Sequence, residues 1–306
     1  MFKKVALIFI ILFTFNISIK AEILRIGVLK IEDAAPVVIA LKDGIFKKHG
    51  IDAKITYFNS ALERDAALEA GAVDCVISDP IAAILLRASG YNVKIVSIAL
   101  GVSPKDGVFS FLASPKSKIK TLKDLAGKTV AISRNSIIEY ITDEILKPKG
   151  IKVKKIEIRK MPLRVQMLLA SKVDAAVLPE PLATYARFKG ARLIFSDSSL
   201  KKSLSQTVWI FNGSYIEKHP KVIEAFKSSY NESVNLINAN PSRYKDTITA
   251  IARVPKEILS IYKIPHFSHF SLLTKESFAS YEKWLIEKGL LKHPIPYSAV
   301  VYVTSH

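Results

Sequence analysis

The sequence contains an internal repeat: two segments 100 residues apart share one pattern. Residues 74–90 (DCVISDPIAAILLRASG) match residues 174–190 (DAAVLPEPLATYARFKG), with Asp, Arg and Gly recurring at the same positions. A strand-helix unit used twice predicts two similar lobes, and the cleft between such lobes is a common place for a small ligand. The alternative is that two βαβ units resemble each other without being a repeat. The same offset also pairs Asp43 with Asp143, Gly50 with Gly150, Arg64 with Arg164, Leu68 with Leu168 and Val73 with Val173.

The N-terminus has the pattern of an export signal. The basic start MFKK precedes the apolar residues 5–19, and the small residue Ala21 follows. This apolar stretch is shorter than the roughly 20 residues that a membrane span needs, so we expect cleavage after residues 1–21. No cysteine follows the signal to carry a lipid anchor, and Cys75 is expected to be a small buried hydrophobe. The sequence therefore predicts a soluble periplasmic protein.

The net charge of +18 invites a nucleic-acid interpretation. The lysines are scattered over predicted helix faces and edge strands, without interleaved aromatic residues on which bases could stack. We therefore expect a solvated surface and no nucleic-acid partner.

The pattern of strands and helices predicts an α/β fold with two doubly wound lobes of parallel strands. Segments 108–113 and 206–211 are expected to cross between the lobes. Two crossings form a hinge that limits motion to opening and closing of the cleft. The predicted boundaries are 22–107 plus 208–306 for lobe one, which includes the C-terminal helices, and 108–207 for lobe two. The predicted strands are 24–29, 53–58, 74–78, 93–98, 129–133, 154–159, 174–178 and 192–195; the predicted helices include 36–49, 221–238, 242–251, 255–262 and 275–288.

No enzyme motif is present. The sequence lacks a G-x-S-x-G elbow, a Walker-type loop and a second cysteine, so nucleophilic and cofactor chemistry have no foothold. His266 and His269 have a spacing that could bind metal on a helix, but Pro265 indicates a loop. We expect no catalytic residues, no cofactor and no metal site.

Polar residues follow the ends of several predicted strands. In a doubly wound sheet these strand-to-helix junctions open at one edge, where ligands bind. Helix capping is the alternative, above all for Asp79, which precedes Pro80. The turn at 133–136 combines free helix amides with the Arg134 guanidinium, a combination that suits an anion. The predicted ligand-binding residues are Asp33, Asn59, Ser60, Asp79, Ser133, Arg134, Asn135, Ser136 and Glu180.

Four segments of the chain resemble a known family. LKDGIFKKHGIDAKITYF, LEAGAVDCVISDP, IKTLKDLAGKTVAIS and ASKVDAAVLPEP are similar to segments of the extracytoplasmic binding proteins of ABC importers for nitrate, sulfonates, taurine and thiamine-pyrimidine precursors. The likeness covers most of residues 24–200. It implies a type II periplasmic-binding fold, a ligand in the interlobe cleft, and delivery to a membrane permease with an ATPase partner. It also implies that the nine residues above face the ligand.

The chain departs from this family in two respects. Aromatic residues are few at the expected cleft, with Tyr57, Phe58 and Phe109 as the candidates, and the cysteine-rich motif of pyrimidine-synthesising relatives is absent. The resemblance therefore does not identify the ligand. We expect a monomeric solute-binding protein for a small anionic or zwitterionic organic ligand. The alternatives are an enzyme on the same fold, such as the dehydratase-like proteins of menaquinone synthesis, and a ligand-sensing partner of a membrane receptor.

Overall fold

The computed structural model of the protein describes residues 23–106 and 109–303. The predicted export signal lies outside the described residues, as does Val108, where the sequence predicts the first crossing between lobes. Within the described residues the strands form two sheets of five strands each. In chain order the strands are β1 (Ile23–Leu29), β2 (Asp52–Phe58), β3 (Cys75–Ser78), β4 (Val93–Leu100), β5 (Phe109–Ala113), β6 (Thr129–Ile132), β7 (Lys154–Glu157), β8 (Ala175–Pro179), β9 (Arg192–Ser196) and β10 (Thr207–Asn212).

The two sheets have the same strand order. Sheet one runs β2-β1-β3-β10-β4, and sheet two runs β7-β6-β8-β5-β9. Each strand of one sheet thus has a counterpart in the other, with β1 matching β6 and β3 matching β8. The predicted α/β fold with two similar, doubly wound units is confirmed.

Each sheet contains an antiparallel strand that the sequence pattern did not reveal. β10 pairs antiparallel with both β3 and β4, and β5 pairs antiparallel with both β8 and β9. The expectation of purely parallel lobes is therefore wrong. The segments expected to cross between the lobes enter the sheets themselves, because their continuous apolar runs are buried there on both faces.

The helices alternate with the strands and then continue alone to the C-terminus. The predicted helices 221–238, 242–251 and 275–288 are confirmed, with bounds shifted by one residue at most. The helices are α1 (Ala35–Lys42), α2 (Ile45–Lys48), α3 (Ala61–Glu69), α4 (Pro80–Ala88), α5 (Ile137–Leu146), α6 (Met161–Leu169), α7 (Leu182–Phe188), α8 (Gly213–Lys218), α9 (Val222–Ala239), α10 (Pro241–Ile251), α11 (Lys275–Glu287) and α12 (Tyr297–Val300).

Two helix predictions were wrong. The helix predicted at 36–49 is divided between α1 and α2 by Gly44, whose φ of 71° is left-handed and interrupts the α-helix. The helix predicted at 255–262 is reduced to a single 3-10 turn, Lys256–Ile258. Tyr262, the last residue of the predicted helix, turns its hydroxyl towards Glu32.

The repeated aspartates explain part of the sequence repeat. Asp74 precedes β3 and accepts a hydrogen bond from the Arg25 amide at 2.8 Å, at the start of β1. Asp174 precedes β8 and accepts a hydrogen bond from the Thr129 amide at 2.8 Å, at the start of β6. Each aspartate therefore joins the equivalent pair of neighbouring strands, which fixes the register at the same edge of each sheet.

Helix α11 contacts helices from both sheets. It packs on α4, and it reaches α5 through the Tyr140 and Tyr281 rings, whose centroids lie 4.6 Å apart. The Trp284 indole donates to Asp143 Oδ2 at 3.1 Å. Lys288, directly after α11, donates to Glu139 Oε1 at 2.8 Å. Helix α11 thus holds the two units together.

The two crossings between the sheets lie against each other. Asp197 is buried and accepts hydrogen bonds from the Phe109 amide at 2.9 Å and from the Ser205 hydroxyl at 2.5 Å. Gly101, just after β4, has a φ of 88°, and a Cβ added there would lie 2.1 Å from the Ser205 carbonyl oxygen. One carboxylate and one glycine therefore set the spacing of the chain segments that join the units.

Cys75 is buried in β3, as the sequence predicts. None of the helices within residues 23–106 and 109–303 is long and apolar enough to cross a membrane.

Candidate functional site

Asp33 lies in a buried turn at the carboxyl end of β1. The turn is a 3-10 helix, Glu32–Ala34, whose two acids are both about one-twentieth exposed or less. Asp33 accepts a hydrogen bond from the Thr207 hydroxyl at 2.5 Å, at the start of β10. Burial raises the pKa of Asp33, and the Thr207 hydroxyl opposes this rise. The site therefore begins as a desolvated carboxylate pair at the edge where the sequence predicted a ligand.

Residues that follow strands of both sheets lie near Glu32. It accepts a hydrogen bond from the Tyr262 hydroxyl, 230 residues away in sequence. Burial raises the pKa of Glu32 to about 8, the Tyr262 hydroxyl opposes the rise, and Asp33 and Glu180 add to it. Glu180 comes from sheet two, so acids of both sheets face one place. We call Glu32, Asp33, Glu180 and Tyr262 the acidic cluster.

Glu180 follows β8 and faces a cavity. Its Oε2 accepts a hydrogen bond from the Thr184 amide at 3.1 Å, so it also caps the short helix α7. A cavity of about 660 Å³ is lined by Glu180 and Tyr262. The other residues lining it are Thr184, Arg187, Phe188, Ala191, Ile261 and Lys263. The acidic cluster is thus open to a solute along its Glu180 side.

Asp79 lies where the two sheets approach each other. It caps α4 by accepting a hydrogen bond from the Ala82 amide at 2.9 Å, as predicted from its place before Pro80. Burial raises its pKa, while the Ala82 amide, the Arg64 guanidinium and the Ile137 amide oppose the rise. Ile137 is the first residue of α5, so the Asp79 carboxylate of sheet one stands at a helix start of sheet two.

The turn at 133–136 leads into α5. Ser136 caps α5 by accepting from the Ile138 amide at 3.2 Å, and its hydroxyl donates to the Ser133 carbonyl at 2.8 Å. Asn135 has a left-handed φ of 55°, and its amide donates to Glu139 Oε2 at 2.8 Å. The Ser133 hydroxyl accepts a hydrogen bond from Arg164. The predicted turn is therefore present at the expected edge.

The Arg134 side chain points away from the turn that its neighbours form. Its side chain is exposed and donates to the Lys155 carbonyl at 3.3 Å, on β7 at the outer edge of sheet two. The guanidinium that does reach the turn belongs to Arg164, which the sequence analysis paired with Arg64 but did not place at the site.

Asn59 and Ser60 make contacts within their own helix. Ser60 accepts from the Glu63 amide at 3.2 Å, and Glu63 accepts from the Asn59 amide at 3.1 Å. These two hydrogen bonds satisfy backbone amides at the start of α3, in the manner of a capping box. Both residues follow β2, the outermost strand of sheet one, at a distance of one strand from the turn that holds Asp33.

Sequence reasoning missed Glu32 and Tyr262. Glu32 stands directly before the predicted Asp33, and its place in the strand-end turn was the available signal. Nothing near Tyr262 in the sequence indicates its contact with Glu32, because the segment that carries it reaches the site only through the packing of the C-terminal helices.

A second cavity lies at the opposite end of sheet one. It has a volume of about 750 Å³ and is lined by Ile23, Arg25 and Asp74, at the starts of β1 and β3. It is larger than the cavity at Glu180, yet it is at the amino ends of the strands, where a doubly wound sheet rarely binds its ligand. Among the described residues there is no group of three His, Cys, Asp or Glu side chains that could hold a metal ion.

Comparison with known proteins identifies relatives of this architecture. The model of the NMT1/THI5-like family matches residues 32–244. The taurine-binding periplasmic protein of Escherichia coli K12 is 25% identical over 248 residues, which cover 78% of this chain and 75% of the relative.

Solved structures show the same fold. The periplasmic aliphatic sulphonate-binding protein SsuA of Escherichia coli superposes with a TM-score of 0.79 at 19% identity, covering 92% of this chain and 97% of that one. The periplasmic nitrate-binding protein NrtA of Synechocystis PCC 6803 gives a TM-score of 0.73 at 14% identity, covering 92% and 84%. The family match extends over most of both sheets, and the chain therefore belongs to the NMT1/THI5-like family and has the architecture of the periplasmic solute-binding proteins of ABC transporters.

Proposed function

We propose that this protein binds a small zwitterionic organic solute between two lobes and delivers it to an ABC permease driven by an ATPase. The proposed lobes are residues 22–107 with 208–306 and residues 108–207, and the proposed ligand contacts are the acidic cluster with Asp79 and the turn at 133–136. We further propose that the protein acts as a monomer, without catalysis or a cofactor.

One observation carries the choice of ligand. Glu32 and Glu180, from different sheets, converge on Tyr262, and burial raises the pKa of Glu32 to about 8. A cation beside these buried acids would favour their ionised forms, and a bound ammonium group would supply it. Such a cluster is unfavourable for an isolated anion such as nitrate. A ligand with one positively charged group would bind favourably beside the acidic cluster.

The anionic half of the ligand is supported by the opposite side of the site. A helix start attracts negative charge, and the Ile137 amide at the start of α5 faces the Asp79 carboxylate. The taurine-binding relative adds support, since taurine carries a sulfonate and an ammonium group two carbons apart. The earlier expectation that Arg134 holds the anion receives no support from its contact with Lys155.

The periplasmic location is part of the same proposal. Residues 1–21 have the pattern of a cleaved signal, and relatives are periplasmic proteins. An intact mass of the protein released by osmotic shock should lack about twenty N-terminal residues. Full-length protein in the membrane fraction would contradict this location. Genes for a permease and an ATPase beside this one would favour uptake over sensing.

Calorimetry with three matched probes tests the ligand class. Taurine carries both charges, ethanesulfonate carries the anion alone, and ethanolamine carries the cation without an anion. The wild-type protein should bind taurine more tightly than either half. Glu180→Gln should weaken the binding of taurine and of ethanolamine by roughly 2 to 5 kcal/mol, because it removes a charge-assisted contact. Glu276→Gln, at a side chain about three-quarters exposed, is the matched control. Equal binding of ethanesulfonate and taurine would overturn the proposal.

A further inference from the structure

The repeat places a buried arginine at the same position of each unit. Arg64 lies in α3 and is 4% exposed, and Arg164 lies in α6 and is 0% exposed. Each guanidinium donates through Nη2 to a serine hydroxyl at the carboxyl end of a strand: Arg64 to Ser78 at 2.6 Å, and Arg164 to Ser133. Both units therefore carry a positive charge beneath the edge where ligands bind.

The two arginines differ in their counter-charges. Arg64 forms an ion pair with Asp65 at 2.8 Å and lowers the pKa of Asp79. At the two corresponding positions of the second unit, the aspartates are replaced by Val165 and Pro179.

Arg164 consequently contacts neutral oxygens. Its Nε donates to the Ile158 carbonyl at 2.9 Å, its Nη1 donates to the Val177 carbonyl at 3.0 Å, and its Nη2 donates to Ser133. Within the described residues it forms no ion pair. Burial lowers the pKa of Arg164 to about 10, so it still carries its charge at neutral pH. A buried cation without a counter-ion is unfavourable, and an anion nearby would compensate it.

Through its hydrogen bond with Ser133, the charge of Arg164 can act on a group bound in the cleft. Its hydroxyl oxygen accepts from Arg164, so its hydrogen is available to another acceptor, and among the described residues it donates to none. Ser133 is partly exposed, unlike the arginine beneath it. The adjacent start of α5 already faces one carboxylate, that of Asp79 from the other sheet. The buried charge of Arg164 and the free hydroxyl hydrogen of Ser133 thus favour a negatively charged group at this turn.

On the basis of the function proposed above, we propose that Ser133, backed by Arg164, is the subsite for the anionic group of the ligand. Ser133 donates its hydroxyl hydrogen to that group. Arg164 is a positioning residue that fixes the Ser133 hydroxyl and supplies the charge behind it.

The subsite lies beside the acidic cluster. Ser133 follows β6 and Glu180 follows β8, and these two strands are parallel neighbours in sheet two. Adjacent strands are about 4.8 Å apart, so one short ligand spans both residues. The ammonium group of such a ligand would face Glu180 while its anionic group meets Ser133. This spacing favours a zwitterion whose charges are separated by a few bonds.

Calorimetry on Ser133→Ala tests the subsite with the same three probes. Loss of the hydroxyl should lower the affinity for taurine about tenfold or more, and the affinity for ethanesulfonate similarly. The affinity for ethanolamine should change less than about twofold. Ser133→Thr keeps a hydroxyl and should restore most of the taurine affinity. Arg159→Ala removes an arginine whose side chain is 68% exposed and is the matched control, with taurine affinity expected to stay within about twofold.

Arg164→Met tests the charge behind the hydroxyl. It should produce the same selective loss as Ser133→Ala, and should the variant fail to fold, Ser133→Ala and Ser133→Thr decide the question. An unchanged taurine affinity in Ser133→Ala, or an equal loss for ethanolamine, would overturn the subsite while the proposed function stands. Failure of the wild-type protein to bind any of the three probes would overturn the proposed ligand class, and the subsite with it.

Discussion

The Tyr262 hydroxyl donates a hydrogen bond to a Glu32 carboxylate oxygen, and this contact joins the C-terminal region to the first strand-end turn. Burial of Glu32 raises its pKa from 4.5 to about 8, with smaller contributions from Asp33 and Glu180. The folded state therefore holds a proton on Glu32 in a range where the unfolded chain has released it. The stability that Glu32 contributes is fully present below pH 4.5 and is lost as the pH rises through about 8.

Glu32→Gln should flatten the decline in stability over this pH range. The amide cannot ionise, yet it still accepts a hydrogen bond from Tyr262. Each pKa unit is worth about 1.4 kcal/mol, and neighbouring acids share the effect, so we expect a gain of roughly 1 to 3 kcal/mol at the alkaline end. Urea unfolding of the ligand-free protein across the range measures it. Glu224→Gln, at an exposed side chain, should leave the slope as in wild type. Parallel curves for all three proteins would contradict the buried, protonated state of Glu32.

Gly101→Ala should destabilise the junction between the two units. The new Cβ would lie 2.1 Å from the Ser205 carbonyl oxygen, and the φ of 88° is unfavourable for alanine. We expect a loss of about 2 to 4 kcal/mol in chemical denaturation. Gly90→Ala is a matched control, since Gly90 has a φ of 94° but no atom within 4 Å of an added Cβ. It should lose about 1 kcal/mol, through the backbone alone. Equal losses in the two variants would show that the crossings are not in close contact.

Lys288→Met should sensitise the protein to acid. Burial raises the pKa of Glu139, but hydrogen bonds from Lys288, Lys155 and the Asn135 amide outweigh this and lower it to about 2. The stabilising contribution of Glu139 is therefore present above 4.5, its unfolded value, and is lost as the pH falls through about 2. Removing Lys288 should move the acid-unfolding midpoint, followed by circular dichroism, to higher pH. Lys283→Met, at a side chain that is 78% exposed, should not move it.

Ligand binding should make the molecule more compact. A solute that contacts both units favours the closed arrangement by its difference in affinity for the closed and open forms. Small-angle X-ray scattering of the mature protein, with and without its co-purified solute identified by mass spectrometry, should show a smaller radius of gyration when bound. Superimposable curves at saturation would mean that the contacts of α11 with α5 already hold the units together. The hinge would then have to be abandoned.

The sequence predicted the elements that depend on local pattern. The cap at Asp79 is a property of neighbouring residues, so it can be identified without a structure. The repeat was predictable because it is a pattern within the sequence, and Asp74 and Asp174 make equivalent hydrogen bonds to equivalent strands.

The features that the sequence did not predict depend on contacts between distant segments. Arg134 matched the expected chemistry of an anion site, but Arg164, thirty residues further on, occupies the space behind Ser133. The insertion of β10 beside β3 and the approach of Tyr262 to Glu32 join segments that are far apart in the sequence. No periodicity or spacing records them, since the apolar pattern of a strand does not specify which neighbour it pairs with.

The place of β4 in sheet one also determines when the sheet can be completed. It pairs with β10, and it also contacts Ser271 and Val301; these three partners come later in the chain. A growing chain that has not yet reached Thr207 therefore carries the apolar strand Val93–Leu100 without a partner. Pairings over such a sequence distance form slowly, because the intervening loop must close first. Sheet one of such a chain can therefore be completed only after Thr207–Asn212 has been synthesised, whereas all five strands of sheet two come earlier in the sequence.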